Sequence, residues 1–230
     1  MTTISPTNVL SRAFEIYKQY AGVLIPAALV IFAIEAILRL IFHNSSVLLG
    51  ISSIVVVVLH TFYQGMVVRL VDDVRDGTLD ASPADLFRSV GPVVLPLIGF
   101  AILAGIAIAI GLFLLIIPGL FLLTIWAVGA PALVVEQTGV FRAFGRSQEL
   151  VKGNGWNVFG LLLILWVLLI GVSIVAGAIG NLGGDAVAAI VSWLATVAIA
   201  PVLALAASVL FFSLRDGVET VRATSGAVVS

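Results

Sequence analysis

The sequence predicts an all-α, polytopic integral membrane protein: six transmembrane helices, arranged as three repeats of an interfacial helix plus a helical hairpin. Three observations carry that prediction. Of the 230 residues, 61% are hydrophobic and only 10% charged, with a mean hydropathy of +1.25. Soluble domains hold about 45–50% apolar residues even with Gly counted, and about 25% charged ones. A chain this apolar cannot cover itself with polar groups, so lipid must cover it. Six stretches are also apolar over about 20 residues, the length that crosses a bilayer at about 1.5 Å per residue. Finally, ten of the eleven Lys and Arg residues fall on one side of the membrane once those stretches are threaded through it.

Residues 1–20 carry Arg12, Glu15 and Lys18 and read as an amphipathic helix. The apolar stretch after them is about 22 residues, too long for the hydrophobic region of a cleavable signal, so it is expected to be retained as the first span. Spans are expected near Ala21–Phe42, Val47–Leu70, Val93–Ile116, Gly119–Val135, Val158–Ile179 and Ala186–Leu214. The third and fourth form a tight hairpin turning at Pro118-Gly119, with no charge between them.

An even number of spans puts both termini on one side. With them go Arg12, Lys18, Arg69, Arg75, Arg88, Arg142, Arg146, Lys152, Arg215 and Arg222, while Arg39 alone falls toward the other face. The positive-inside rule then makes the termini and the two longer loops cytoplasmic, in a cell membrane. The outer connections, His43-Asn44-Ser45-Ser46 and Asn181-Leu182-Gly183-Gly184-Asp185, are short.

A short amphipathic helix precedes each odd-numbered span. Ser5-Pro6-Thr7-Asn8 and Ser82-Pro83-Ala84-Asp85 open two of them, with Ser as N-cap and Pro at the first helical position. Arg12-Ala13-Phe14, Arg88-Ser89-Val90 and Arg142-Ala143-Phe144 follow in the three helices. At 100° per residue, Val9, Leu10, Ala13, Phe14, Ile16, Tyr17 and Tyr20 share one face, opposite Ser11, Arg12, Glu15, Lys18 and Gln19. In the third helix Val140, Phe141, Ala143, Phe144, Ser147, Leu150 and Val151 likewise oppose Arg142, Arg146, Glu149 and Lys152. Such helices are expected along the headgroup boundary, apolar side down. The approximate units are residues 5–72, 82–135 and 138–214, followed by a cytoplasmic tail, 215–230.

Composition excludes much chemistry. No cysteine is present, which removes disulfides, thiolate catalysis and Cys-based zinc sites. A net charge of −1 gives no electrostatic case for nucleic acid. Two histidines, His43 and His60, cannot make a His-rich metal centre, and Gly180-Asn181-Leu182-Gly183-Gly184 lacks the Lys of a phosphate loop. No catalytic residue set, metal site or cofactor is predicted.

The polar residues inside the spans are the remaining candidates. Glu35 and Arg39 are four apart on the first span and can pair on one helix face. His60 and Gln64 are four apart on the second, close to mid-membrane. By helical rise His60 lies about 9 Å deeper than Glu35, so direct pairing between them is not expected. Small residues at Ala101-Gly105-Ala109 and Thr196-Ala200-Ala204-Ser208 are expected to let helices approach closely. Pro26, Pro96, Pro131 and Pro201 inside spans mark places for kinks. Arg142, Arg146 and Lys152 are candidates for anionic headgroups at about 1 kcal/mol per basic residue. Glu136 ends the fourth span, ten residues before Arg146; a helix folding back there would pair it with Arg142 or Arg146 and clamp the loop.

The segment Trp126–Gly153 carries a more particular pattern: Trp126, Pro131, Glu136, Gly139, Ala143, Arg146-Ser147, Leu150 and Gly153, preceded by Pro118-Gly119. This resembles the six-span family named after the membrane domain of glycerophosphoryl diester phosphodiesterases, with its related uncharacterised prokaryotic membrane proteins. The last span running into Leu214-Arg215-Asp216-Gly217 is similar too. The resemblance implies a membrane domain whose motif residues, Pro131, Glu136, Ala143, Arg146, Ser147 and Leu150, are structural. It implies no hydrolase activity, because in that family a separate soluble barrel does the hydrolysis, and about 16 residues after the last span cannot make one.

The function expected from these observations is a non-catalytic, accessory or scaffold role, binding membrane lipid or a partner protein through the cytoplasmic interfacial helices. Another membrane protein or a second copy of the chain is the further partner open to it. The alternative is a small-solute or ion transporter or channel with a central polar site around His60, Gln64 and Glu35, and an intramembrane enzyme ranks third.

Overall fold

Apolar runs of this length leave their backbone groups no partner but each other, and the chain answers with helices. The computed structural model describes residues 4–42, 44–77 and 79–227, with the side chains of residues 49, 51, 76, 181 and 221–227 left out. His43 of the first outer connection and the Arg222 and Asn181 side chains therefore lie outside the described residues. Eight α-helices follow one another: α1 Pro6–Phe42, α2 Ser46–Asp73, α3 Pro83–Val90, α4 Val94–Leu114, α5 Ile116–Ile125, α6 Gly129–Glu136, α7 Val140–Val151 and α8 Gly155–Ala227. Among the described residues no strand occurs. Six helical segments are long and apolar enough to cross a membrane: Pro6–Phe42, Ser46–Asp73, Pro83–Leu114, Ile116–Glu136, Gly155–Gly180 and Leu182–Thr220.

Where amphipathic sequence meets apolar sequence, the backbone breaks. Tyr20 leaves helical geometry (φ −113°, ψ 20°) and divides α1 at the residue where its polar face ends. The Ser82 hydroxyl accepts from the Asp85 amide at 3.2 Å and caps α3, which a short 3-10 turn over Gly91–Val93 joins to α4. Gly153 takes a left-handed conformation (φ +88°) between α7 and α8. Within α8, Gly184 (φ +78°) turns the chain back on itself. The two limbs then run so close that a Cβ on Gly180 would meet Ala188 Cα at 2.7 Å.

The molecule is packed unevenly along its length. At the end that carries both termini, Val9, Ala13 and Ile16 of α1, Met66, Val67 and Leu70 of α2, Ala132 and Leu133 of α6, and Leu205, Leu210 and Phe211 of α8 form a dense core. Arg75 ties the end of α2 to α8 there, its Nη2 donating to both Asp216 oxygens at 3.0 and 2.8 Å. Its guanidinium lies 4.6 Å from the Phe212 ring, which Arg215 also covers at 4.9 Å. Toward the far end, long apolar faces such as Val30, Ile37, Ile106, Val167 and Ile174 are bare.

Four sequence expectations are corrected. The α4–α5 hairpin turns at the extended residue Leu115, not at Pro118-Gly119. Pro118 sits in the first turn of α5, where a missing N–H costs nothing. Gly119 instead lets the two helices touch: a Cβ on Gly111 would lie 3.0 Å from its backbone. The fourth span is not one helix but α5 and α6, broken at Trp126–Val128. The stripe Ala101-Gly105-Ala109 makes no close helix contact: Gly105 has open space where its Cβ would be, and the α4 packing runs through Ala104 and Gly111 instead. Lastly, Val9, Ala13 and Ile16 of the α1 start and Ala143, Leu150 and Val151 of α7 are buried against protein rather than turned down into lipid, while Phe141 of the expected α7 face is exposed.

Candidate functional site

Two polar arrangements stand out, one at each end of the bundle. The first is the seat of α7. Pro131 has no N–H to return to the Ala127 carbonyl, and its ring would collide with that carbonyl in a continuous helix, so the chain breaks before it. The break strands the carbonyl of Ile125, because the Gly129 amide that would reach it bonds to Trp126 O at 3.1 Å. The fully buried Ser147 of α7 fills the gap, its Oγ donating to Ile125 O at 2.8 Å.

The residue before Ser147, Arg146, donates from Nε to both Glu136 oxygens at 2.7 and 3.0 Å, and its Nη1 lies 3.5 Å from Glu149. Thus Arg146, not Arg142, makes the fold-back pair with Glu136. Ala143 and Leu150 are buried on the same face. Phe144 sits between Phe100, 4.4 Å away centre to centre, and Trp126 at 4.7 Å. Gly129 has no room for a side chain because the Phe100 ring occupies that space. Of the six motif residues, Glu136, Arg146 and Ser147 make the bonds of this joint, and Pro131, Ala143 and Leu150 are buried in α6 and α7. Arg142 and Lys152 take no part: both are exposed and have no partner among the described residues.

The second arrangement lies toward the far end of α1 and α2. Glu35 Oε1 accepts from Arg39 Nε at 3.1 Å and Nη2 at 2.7 Å, the expected pairing along one helix. Its other oxygen lies 2.9 Å from His60 Nε2. This overturns the expectation that Glu35 and His60 are too far apart in depth to meet. Counting rise along two separate axes ignores the reach of both side chains, which here bridges the difference. Gln64 joins none of these bonds. The ring of Phe32 stands edge-on to His60 at 5.0 Å, and the Trp193 indole donates to Phe32 O at 3.0 Å, bringing α8 against the cluster. Beside it opens a cleft of about 580 Å³ lined by Phe32, Glu35, Arg39, Trp193 and Thr196.

Comparison with known proteins supplies no relative. No protein-family model, curated protein or solved structure matches the chain.

The chemistry of the two sites has to be read from geometry. At the α7 seat Arg146 Nε and Ser147 Oγ donate across the joint, bonds that hold helices together, while the buried Thr138 hydroxyl beside them has no partner among the described residues. At the far end, both Glu35 oxygens are occupied, one by Arg39 and one by His60. Both arrangements suit binding and holding. Sequence reasoning missed the Ile125 carbonyl and the Arg75–Asp216 tie, since each depends on contacts between segments remote in the chain.

Proposed function

We propose that the chain is a non-catalytic integral membrane protein whose termini and α7 face the cytoplasm, and whose exposed basic rim there binds anionic lipid headgroups. The observation that carries this reading is the surface around α7. With Ala143, Ser147, Leu150 and Val151 buried against protein, α7 is fixed to the bundle, and Arg142 and Lys152 are exposed, as are Phe141 and Trp156, at 82% and 86%. Bare aromatic rings next to unpaired cations fit a bilayer boundary, ring in hydrocarbon and charge at phosphate. The three-unit repeat fits as well, since α1, α3 and α7 each bring one amphipathic helix to the same end. The resemblance to the membrane domain of glycerophosphoryl diester phosphodiesterases agrees with a role free of hydrolysis.

The test is native mass spectrometry from nanodiscs of mixed phosphatidylglycerol and phosphatidylcholine. Retained phosphatidylglycerol that is lost in Arg142→Ala/Lys152→Ala supports the reading; equal retention of both lipids, unchanged by the substitutions, contradicts it. A transport role draws support from the cleft at Glu35 and Arg39. Against it, Met66, Val67 and Leu70, further along α2 from His60, are all buried in the apolar core.

A further inference from the structure

Among the described residues, α7 has two exposed cations without a partner, one at each end. Arg142 stands in its first turn and Lys152 follows its last residue, about 15 Å apart at about 1.5 Å per residue. One lipid headgroup cannot meet both. Their surroundings differ as well. Arg142 borders a polar hollow of about 330 Å³ whose lining includes the carboxylates of Glu136 and Glu149, which repel an incoming anion. Lys152 is followed by Gly153 and Gly155, where a groove of about 620 Å³ opens between α5 and α8 with no carboxylate in its lining.

The walls of this groove are Ile117, Leu120, Phe121 and Ile125 of α5 against Trp156 and Phe159 of α8, whose rings pack edge to face at 6.2 Å. Thr124 turns its hydroxyl back to the Leu120 carbonyl at 2.7 Å, so the wall stays apolar there. The mouth is clear, because a Cβ on Gly153 or Gly155 would find no atom within 4 Å. The side is open too, with Ile117 80% exposed. Along α5, from Ile125 to Ile117, the groove runs about 12 Å. A partner helix crossing the bilayer presents about 30 Å of apolar length, whereas the hydrocarbon of one leaflet is about 15 Å deep. The length therefore suits a chain from a single leaflet.

We infer that this groove holds one acyl chain of an anionic phospholipid whose phosphate pairs with Lys152, and that Arg142 lies outside the site. Charge and length point to the same occupant: a cation with no competing carboxylate at the mouth, then an apolar channel of about one leaflet's depth. Such a site requires α7 to lie at a bilayer boundary that attracts anionic lipid, the reading proposed above.

Native mass spectrometry from nanodiscs of phosphatidylglycerol and phosphatidylcholine, applied to single variants, separates the groove from the rim. The wild type and Arg142→Ala should each retain one phosphatidylglycerol. Lys152→Ala should lose it, as should Gly155→Phe, whose ring fills the mouth. Retention in Gly155→Phe, or equal losses in Lys152→Ala and Arg142→Ala, overturns the groove site while leaving the basic rim as a lipid surface. No preference for phosphatidylglycerol in the wild type removes the rim and the groove together. A dimer that dissociates in Gly155→Phe gives the groove to a second copy of the chain and overturns the lipid site.

A second readout does not depend on how Gly155→Phe folds. Phosphatidylglycerol brominated in its acyl chains should quench the Trp156 emission, taken as the difference from Trp156→Phe, at a lower mole fraction than brominated phosphatidylcholine does. Lys152→Ala should abolish that difference. Equal quenching of the wild type by the two lipids overturns the site.

Discussion

Ser147 and Ile125 are 22 residues apart in the chain, yet the serine hydroxyl donates to the isoleucine carbonyl at 2.8 Å. That bond repairs the backbone exactly where Pro131 forces α5 and α6 apart. A helix break inside an apolar bundle leaves a carbonyl that water cannot reach, and the neighbouring helix supplies the missing donor. Ser147→Ala should lower the melting temperature in detergent, by an amount matching about 1–2 kcal/mol for an orphaned buried acceptor. Ser213→Ala serves as control, since that hydroxyl only bonds the Val209 carbonyl of its own helix. Equal melting curves for the two variants would contradict the capping role.

Glu136 and Arg146 form the second tie of the same joint. Both side chains keep about a fifth of their surface, so the pair is partly screened and worth on the order of 1 kcal/mol or less. Glu136→Gln should reduce thermal stability, and a double-mutant cycle with Arg146→Gln should show the two losses coupled. Strict additivity would mean the pair holds nothing.

Gly129 is the steric partner of Phe100. Gly129→Ala places a methyl group against the Phe100 ring, an overpacking that costs about 1–3 kcal/mol. Thermal unfolding of Gly129→Ala should therefore come early, and Gly129→Ala/Phe100→Leu should recover part of the loss. No recovery would show that the methyl group is not what disturbs the joint.

Glu35 is predicted to link α1 and α2 through His60. Interhelical hydrogen bonds in membranes average about 0.6 kcal/mol, so the expected effect is small but coupled. The cycle of Glu35→Gln and His60→Ala, read by unfolding in mild detergent, should give a non-zero interaction energy. Glu35→Gln with Arg39→Gln should couple as well, because the same carboxylate serves both partners.

Much of this was legible in the sequence because apolar runs of this length permit so few backbone solutions. The apolar stretches appear as helices, and Tyr20, Ser82 and the Lys152–Asn154 turn fall where polar and apolar periodicity change over. A fold-back of α7 onto Glu136 was readable from the sequence, but not whether Arg142 or Arg146 makes the pair. The Glu35–His60 contact was not, because it depends on how two helices lean. Nor was the use of the apolar face of α7: amphipathicity states that one side avoids water without saying whether protein or lipid receives it. Pro118-Gly119 suggested a turn by composition, whereas Gly119 serves close packing and the turn falls at Leu115.

The central claim is that the basic amphipathic helices share the cytoplasmic side of a bilayer. Ser82→Cys and Gln148→Cys, both exposed positions on that side, can be treated with a membrane-impermeant maleimide in oriented vesicles. Labelling in inside-out vesicles, with none in right-side-out ones, is the predicted result. Labelling of either cysteine from the outside would contradict the account.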